Sequence, residues 1–319
     1  MNSYWIESVK SEKKVFSRLE KDARADVCII GGGLTGLTTA YYLSKTNLKV
    51  ILLEKARICE HTSGNTTAKI TSQHDLFYDY LIQSQGKEKA KQYLEANEEA
   101  IKNIENIVKE ENIDCDFERT DNYVYTLKQE ELEKIKKEVE AVQKLGFPAE
   151  FTTNSELPFD ILGGIKFPKQ AQFNPCKYAN GLVNSITKKE NVAIFENTKV
   201  VDLKEAENLL YKIITETGYC ITAKHVVIAS HYPIINVPGY YFLKMYQEMS
   251  YLIGIETDKP LFKGMYINSE TPTVSFRTAK KDGKDLLLIG GMGHKTGERK
   301  DISDRYKNLE AIAKKYYPD

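Results

Sequence analysis

A short apolar stretch, a glycine cluster, an apolar-faced helix and a second apolar stretch follow one another between residues 26 and 55. Residues 27–30 are continuously apolar, as is typical of a strand buried on both faces. Residues 50–53 form a second such run. Between them, apolar residues recur at helical spacing on one face: Leu34, Leu37, Ala40, Tyr41 and Leu43. The pattern predicts a strand–helix–strand unit with parallel strands.

Further along, the period of the apolar positions changes twice. From about residue 76 to 160 it is helical, with two amphipathic helices around an alternating, strand-like stretch, NYVYTL. The second of these helices is predicted to stop at Gly146, with Pro148 beyond it. From about residue 193 short strands follow: AIFE, KVVDL, NLLYKIITET, CITAKHVVIA, MSYLIGIE, PTVSFRTA and residues 286–289.

The charge and cysteine content narrows the class of protein. Lysine plus arginine and aspartate plus glutamate both number 45, so the formal net charge is zero and no nucleic-acid partner is predicted. No apolar run is long enough for a membrane span, and the first residues lack the apolar core of a signal peptide. The five cysteines are scattered and none pairs with a histidine at metal-ligand spacing. A cytoplasmic protein without a metal site is predicted.

The glycine cluster has the spacing of a dinucleotide-binding turn. Gly31, Gly33 and Gly36 form G-x-G-x-x-G, in which the first glycine permits the tight turn, the second lets the backbone approach a pyrophosphate and the third permits close helix packing. The helix N-terminus would face the phosphates. Glu54 ends the second apolar run, where a carboxylate accepts hydrogen bonds from a ribose and repels the 2′-phosphate of NADP.

The stretch after Glu54 favours FAD over NAD. Residues 62–72 contain six serines or threonines and Gly64, which indicates a loop of hydroxyl and N–H groups near the glycine turn. Such a loop could wrap around a second part of a long cofactor. An ordinary polar surface loop is the alternative.

At this point the chain resembles a known family. The segments IIGGGLTGLTTAYYLS, LLEK, TSGNTTAKIT, QAQFNPCKYANGL, HVVIASHYPI and LLLIGGMGHKTGE resemble the D-amino-acid oxidase/glycine oxidase superfamily of FAD-dependent oxidoreductases. More narrowly, they resemble its bacterial branch that often carries a C-terminal Rieske domain. The resemblance implies an α/β fold with a Rossmann-like FAD-binding domain (20–75, 160–235 and 286–319). An α+β substrate domain on a mixed or antiparallel sheet (76–159 and 236–285) interleaves with it.

The resemblance also implies roles for individual residues. The turn would contact the FAD pyrophosphate, Glu54 the ribose, and Lys55 would flank the adenosine. The turn residues are Gly31, Gly32, Gly33, Leu34, Thr35 and Gly36. A loop that runs past the pyrophosphate and the flavin would consist of Thr62, Ser63, Gly64, Thr66, Thr67 and Ala68. The backbone of Val200 would contact adenine, and Ala229 and Ser230 would lie where a strand end passes the cofactor.

Lys69 is the predicted catalytic residue. Its positive charge near the flavin ring would favour the reduced, anionic flavin, and a solvated surface lysine is the alternative. Arg277 and His294 are weaker candidates, for a substrate carboxylate and for the flavin respectively.

The family chemistry implies hydride transfer to flavin from an amine or amino-acid-like substrate. A Rieske protein or another electron acceptor on another chain would be a partner. The sequence ends at AIAKKYYPD, before the family's last FAD-domain segment and before any Rieske ligands. A truncated or degenerate nucleotide-binding scaffold that needs a partner chain is therefore the alternative function. A NAD-dependent dehydrogenase fits the glycines but not the Ser/Thr loop.

Overall fold

The computed structural model describes residues 3–235, 237, 239–297 and 302–318. Its contacts divide the chain into two units that alternate along the sequence. Unit 1 consists of Met1–Thr66, Val108–Cys115 and Asn174–Tyr246. Unit 2 consists of Thr67–Ile107, Asp116–Phe173 and Gln247–Asp319.

The described residues form helices and strands in an alternating order. The helices are α1 Tyr4–Glu7, α2 Leu34–Ser44, α3 Tyr78–Gln85, α4 Lys87–Glu110, α5 Leu132–Lys144, α6 Pro175–Ile186 and α7 Ile302–Tyr316. The first strands are β1 Ala23–Ile30, β2 Val50–Leu53, β3 Lys69–Ile70, β4 Glu118–Thr126, β5 Glu150–Thr152, β6 Gly163–Gln172 and β7 Val192–Phe195. The later strands are β8 Val200–Ala206, β9 Leu210–Thr215, β10 Cys220–Ile228, β11 Glu248–Glu256, β12 Met265–Asn268, β13 Val274–Lys281 and β14 Lys284–Lys295.

Unit 1 is built on a six-stranded sheet in the order β7-β2-β1-β10-β9-β8. The strands β7, β2, β1 and β10 are parallel, with Val27 opposite both Val50 and His225, whereas β9 pairs antiparallel with β10 and β8. The side chains of Cys28, Ile51 and other strand residues form a buried core. Residues 27–30 of β1 and all of β2 are buried, as expected of strands covered on both faces, which explains why these two runs are apolar without alternation.

Unit 2 is built on an eight-stranded mixed sheet. Its order is β11-β14-β13-β12-β4-β6-β3, and β5 also pairs with β6. Among the described strands of this sheet, the β12–β4 pair is parallel and the other pairs are antiparallel. The predicted α/β fold, with a Rossmann-like part and a part on a mixed sheet, is confirmed.

The division of the chain differs from the predicted boundaries, most of all at the C-terminal end. Residues 160–173 also fall in unit 2, and Val108–Cys115 falls in unit 1. Residues 286–319 were expected to rejoin the nucleotide domain, but they belong to unit 2. The reason is β14, which hydrogen-bonds antiparallel to β11 on one edge and to β13 on the other. α7 then contributes Leu309 and Ala313 to the same core as β13 and β14.

Helix ends follow the local sequence signals. α5 ends at Lys144, and Gly146 beyond it has a φ of +89°, a left-handed conformation that favours glycine. α6 begins with Pro175 after Asn174, whose side-chain oxygen accepts hydrogen bonds from the Cys176 and Lys177 N–H groups, both at 3.1 Å. None of the helices in the described part of the chain combines the length and apolar character needed to cross a membrane.

Candidate functional site

Two glycines of the predicted pyrophosphate turn are required by backbone packing. Gly31 has a φ of +116°, and a Cβ there would lie 2.4 Å from the carbonyl oxygen of Ala229. A Cβ on Gly36 would lie 1.9 Å from the carbonyl oxygen of Gly31. Ala229 is held in place by its N–H group, which donates to the Ile30 carbonyl at 2.8 Å. The turn, α2 and the end of β10 therefore approach one another as closely as backbones allow.

Gly33 has different surroundings. It is the N-cap residue of α2 with an extended backbone, and among the described residues a Cβ there would meet one atom within 4 Å, Oγ of Ser63 at 2.9 Å. The Leu34 N–H donates to that same Oγ at 3.1 Å. Among the described residues, the N–H groups of Gly33 and Thr35 have no protein acceptor. This edge of the turn presents bare backbone donors to a ligand, as a diphosphate requires.

Glu54 lies directly against the glycine turn. The residue is buried, with 6% of its surface exposed. Oε2 accepts from the Gly32 N–H at 2.7 Å, and Oε1 accepts from the Ala56 N–H at 2.9 Å. Each carboxylate oxygen has a second lone pair, so the group retains acceptor capacity beside the turn. Lys55, the next residue, is exposed.

The start of β8 lies beside the end of β2. The Thr198 N–H donates to the Glu54 carbonyl at 2.8 Å, and the Asn197 N–H donates to the Ala56 carbonyl at 2.9 Å. Val200, which follows two residues later, is buried. The structure thus brings Val200 close in the fold to Glu54, although they are far apart in the sequence.

Glu196 is a structural residue of unit 1 that sequence reasoning missed. Its fully buried carboxylate accepts from the Ile58 N–H at 2.8 Å and from the Phe16 N–H at 3.1 Å, and it forms an ion pair with Arg57 at 2.8 Å. It fixes the chain that follows β2. A glutamate after a short strand carries no signal of this role in the sequence.

The hydroxyl-rich loop is divided between the two units after Thr66. In unit 1, Thr62–Asn65 form one 3₁₀ turn rather than an irregular loop. The N-terminal helix α1 holds this turn, since Trp5 Nε1 donates to the Thr66 carbonyl at 2.8 Å and the Ser3 hydroxyl donates to the Gly64 carbonyl. Gly64 is required there, because a Cβ would lie 2.1 Å from the Cys59 carbonyl oxygen.

In unit 2, Arg277 fixes the continuation of the loop. Its Nη1 donates to the carbonyl oxygens of Thr67 at 2.8 Å, Ala68 at 2.6 Å and Phe173 at 3.3 Å. Ala68 has a φ of +55°, so this contact holds a residue in the left-handed region. Arg277 is 2% exposed, and burial lowers its pKa to about 9. It positions the backbone before Lys69, whereas the sequence offered it as a candidate for a substrate carboxylate.

Lys69 is half-buried rather than a solvated surface lysine. It is the first residue of β3, and its Nζ donates to the Tyr266 carbonyl at 2.8 Å. Burial, with a smaller contribution from the positive Arg277, lowers the pKa of Lys69 to about 7. A lysine with this pKa exchanges a proton readily near neutral pH.

The remaining candidates have local partners. Oγ of Ser230 donates to the Tyr232 carbonyl at 2.8 Å. In unit 2, His294 lies 2.9 Å from the Tyr251 hydroxyl through Nε2, and Nδ1 lies 2.9 Å from the Lys295 carbonyl oxygen. His294 therefore has a structural explanation within its own sheet.

Comparison with known proteins decides the family. The profile of the DAO family, described as FAD dependent oxidoreductase, matches residues 26–319. The chain belongs to the DAO family. The cofactor of that family is FAD, as predicted.

A curated relative of this DAO-family chain supports the narrower branch. The Bacillus subtilis protein YhfW, whose name describes a Rieske 2Fe-2S iron–sulfur protein, is 35% identical over 311 residues, which is 98% of this chain and 60% of YhfW. The chain therefore spans about three fifths of the length of this relative. The predicted resemblance to the Rieske-associated branch is confirmed.

Solved structures share the fold. Glycine oxidase from Geobacillus kaustophilus matches with a TM-score of 0.67 at 19% identity, over 93% of this chain and 79% of that one. L-Proline dehydrogenase from P. horikoshii matches with a TM-score of 0.68 at 18% identity, over 94% and 78%. The DAO-family chain thus has the fold of enzymes that are named for amino acids.

Proposed function

We propose that this chain binds FAD at the glycine turn and oxidises an amine or amino-acid-like substrate by hydride transfer to the flavin. The observation that carries the proposal is the edge of the turn at Gly33. Backbone donors are bare there, a side chain would fill the space, and the buried Glu54 carboxylate lies alongside. The residues present therefore fit a dinucleotide.

The turn would hold the diphosphate and Glu54 the ribose. The bare N–H groups of Gly33 and Thr35 would donate to phosphate oxygens at the positive end of the α2 dipole. Glu54 would accept from the ribose hydroxyls with its remaining lone pairs while its bonds to Gly32 and Ala56 keep it oriented. Lys55 and the Val200 backbone would flank the adenosine.

The hydroxyl-rich loop and the end of β10 would contact the remainder of the cofactor. The loop residues in unit 1 are held by α1, and those in unit 2 are held by Arg277, so the backbone of both parts of the loop is fixed by hydrogen bonds. Ala229 would contribute through its backbone, since it already contacts Gly31. The proposed contacts come from Thr62, Ser63, Gly64, Thr66, Thr67, Ala68, Ala229 and Ser230.

The chemistry would be divided between cofactor and chain. FAD, when bound, supplies the hydride acceptor. Lys69 would supply the charge: with Nζ protonated, it would stabilise negative charge that develops nearby, and with its pKa near 7 it would pass that proton on at neutral pH. No strong acid or base is needed beyond it.

The substrate class and the electron acceptor are supported by the relatives. The names of the two solved structures refer to glycine and L-proline, and both of these molecules have an amine nitrogen bonded to a carbon that can lose hydride. The name of YhfW refers to a Rieske cluster. We therefore propose a Rieske-type or other acceptor on another chain in place of oxygen. The five free cysteines suit action in the cytoplasm.

The test is anaerobic reduction. The FAD-loaded chain is mixed with a panel of amines and amino acids, and the flavin absorbance is followed. Bleaching by one chemical class supports the oxidoreductase. If dithionite bleaches the flavin and no member of the panel does, the non-catalytic scaffold becomes the better account. Reoxidation by a one-electron dye much faster than by oxygen would support a Rieske-type acceptor.

A further inference from the structure

Two cysteines from distant parts of the sequence meet inside unit 1. The Sγ atoms of Cys59 and Cys176 are 3.8 Å apart, although 117 positions separate the residues. The two residues are 5% and 3% exposed. Each sulfur also lies 3.8 Å from a backbone carbonyl of the opposite segment, that of Pro175 or of Cys59. Each cysteine thus contacts both the sulfur of the other cysteine and the backbone of the opposite segment.

The surroundings make the two thiols unequal. Cys176 is the second residue of α6, and its N–H is fixed by the Asn174 cap, so its sulfur lies at the positive end of a 12-residue helix. The hydrogen-bond contact with the Cys59 sulfur lowers the pKa of Cys176, and the positive charge of Lys13 acts in the same direction. A thiolate is the nucleophilic form of cysteine, so Cys176 is the attacking sulfur of the pair.

The pair lies at the wall of a small cavity. A cavity in unit 1 borders both cysteines, and its wall combines apolar residues with lysines. The other lining residues include Ile6, Val9, Lys13, Phe16, Ile58 and Val183. Lys13 is paired with Glu60 at 2.6 Å, which keeps its positive charge at this wall.

We propose that Cys59 and Cys176 are a redox modification site. Hydrogen peroxide oxidises the two thiols to an intramolecular disulfide. The Cys176 thiolate attacks a peroxide oxygen, the O–O bond breaks, and the departing hydroxide takes a proton to become water. The resulting sulfenic acid is attacked by the Cys59 sulfur, which forms the S–S bond and expels the second water. Two thiols are oxidised and one peroxide is reduced to two waters.

The site is coupled to the glycine turn by the backbone of Cys59. Its N–H donates to the Gly32 carbonyl at 3.1 Å, and its own carbonyl lies against Gly64. Bond formation draws the sulfur atoms from 3.8 Å to about 2.05 Å, so it pulls on a segment attached to this turn. The redox state of the two cysteines is therefore linked to the conformation of the glycine turn, whether or not a cofactor is bound.

The test uses the full chain, reduced and then treated with hydrogen peroxide, without added FAD. The remaining thiols are alkylated and the peptides identified by mass spectrometry. We expect the thiol count to fall from five to three and one linked peptide pair, joining Cys59 to Cys176. A chain unfolded in urea before treatment should give a mixture of pairings, because the preference depends on the fold.

Variants identify the sulfurs. Cys176→Ser should abolish the linked peptide and leave Cys59 reduced, and Cys59→Ser should stop the reaction at oxidised Cys176. Cys220→Ser is the matched control, since Cys220 is half-buried in β10, and it should keep the linkage. The proposal is overturned if folded and unfolded chains give the same pairings, or if Cys59 and Cys176 remain reduced while Cys220 is oxidised.

Discussion

The glycine turn of unit 1 and the Thr67–Lys69 segment of unit 2 are both predicted to contact the cofactor, but they are fixed in different ways. At the turn, backbone atoms pack against backbone atoms, and positions 31 and 36 have room only for glycine. At Thr67–Lys69, a buried guanidinium from a strand 210 residues later binds the carbonyl oxygens. The first arrangement is encoded locally, whereas the second exists only once the sheet of unit 2 has formed.

This difference decides how well the site could be predicted from the sequence. The glycine spacing, the apolar runs of β1 and β2 and the acid at Glu54 are all local, and each lies where the pattern indicated. The amphipathic spacing likewise predicted α4 and α5. By contrast, nothing near Arg277 in the sequence indicates that its partners are the carbonyl groups of residues 67 and 68, so it was predicted only as a weaker candidate for a substrate carboxylate.

Other parts of unit 1 were not predictable for the same reason. α1 is only four residues long, and its Trp5 is fixed by a carbonyl 61 positions away. The role of Glu196 depends on backbone N–H groups from two other segments. The placement of residues 286–318 depended on which strands β14 would pair with, and an apolar run does not specify its partner.

The largest effect is expected from Gly36→Ala. Its Cβ would overlap the Gly31 carbonyl, so β1 and α2 must separate, and we expect a loss of about 3 kcal/mol in the free energy of unfolding. Urea denaturation measures it. Gly293→Ala is the control, because its Cβ meets only the Met249 carbonyl, at 3.6 Å, and should change stability by about 0.5 kcal/mol or less. Equal losses would show that the turn is not fixed by backbone packing.

Arg277→Met tests the other side of the comparison. It removes the donor for three carbonyl groups, two of them in buried contacts, and we expect a loss of about 2 kcal/mol, measured in the same way. The control is Arg24→Met, an exposed residue of β1, with an expected change within about 0.5 kcal/mol. If Arg277→Met lowers the free energy of unfolding no more than the control does, the segment before Lys69 is held by something other than the guanidinium.

Glu54→Gln is expected to weaken FAD binding about tenfold, because a neutral amide replaces a charged acceptor next to the turn. Fluorescence titration with FAD measures the dissociation constant. Glu20→Gln, at an exposed position before β1, should leave it unchanged. An unaltered affinity in Glu54→Gln, with the fold intact, would remove Glu54 from the ribose site.

The last expected effect is a pH dependence due to Lys69. Its ordinary pKa is 10.5, and in the folded chain it is about 7. Between these values the unfolded chain binds more protons, so this group stabilises the fold increasingly as the pH rises, and the contribution is lost as the pH falls through 7. The stability of wild type relative to Lys69→Met should therefore rise between about pH 6 and pH 9. Exposed Lys55→Met should show no such trend.

The central claim is that the edge of the turn at Gly33 is built for a ligand, whereas Gly36 is built for the fold. The direct measurement is the visible absorption spectrum of wild type and Gly33→Leu after soaking with FAD and removing the excess. The account predicts a flavin spectrum for wild type, and a colourless Gly33→Leu whose urea denaturation midpoint remains close to that of wild type. A Gly33→Leu chain that retains as much flavin as wild type would contradict it.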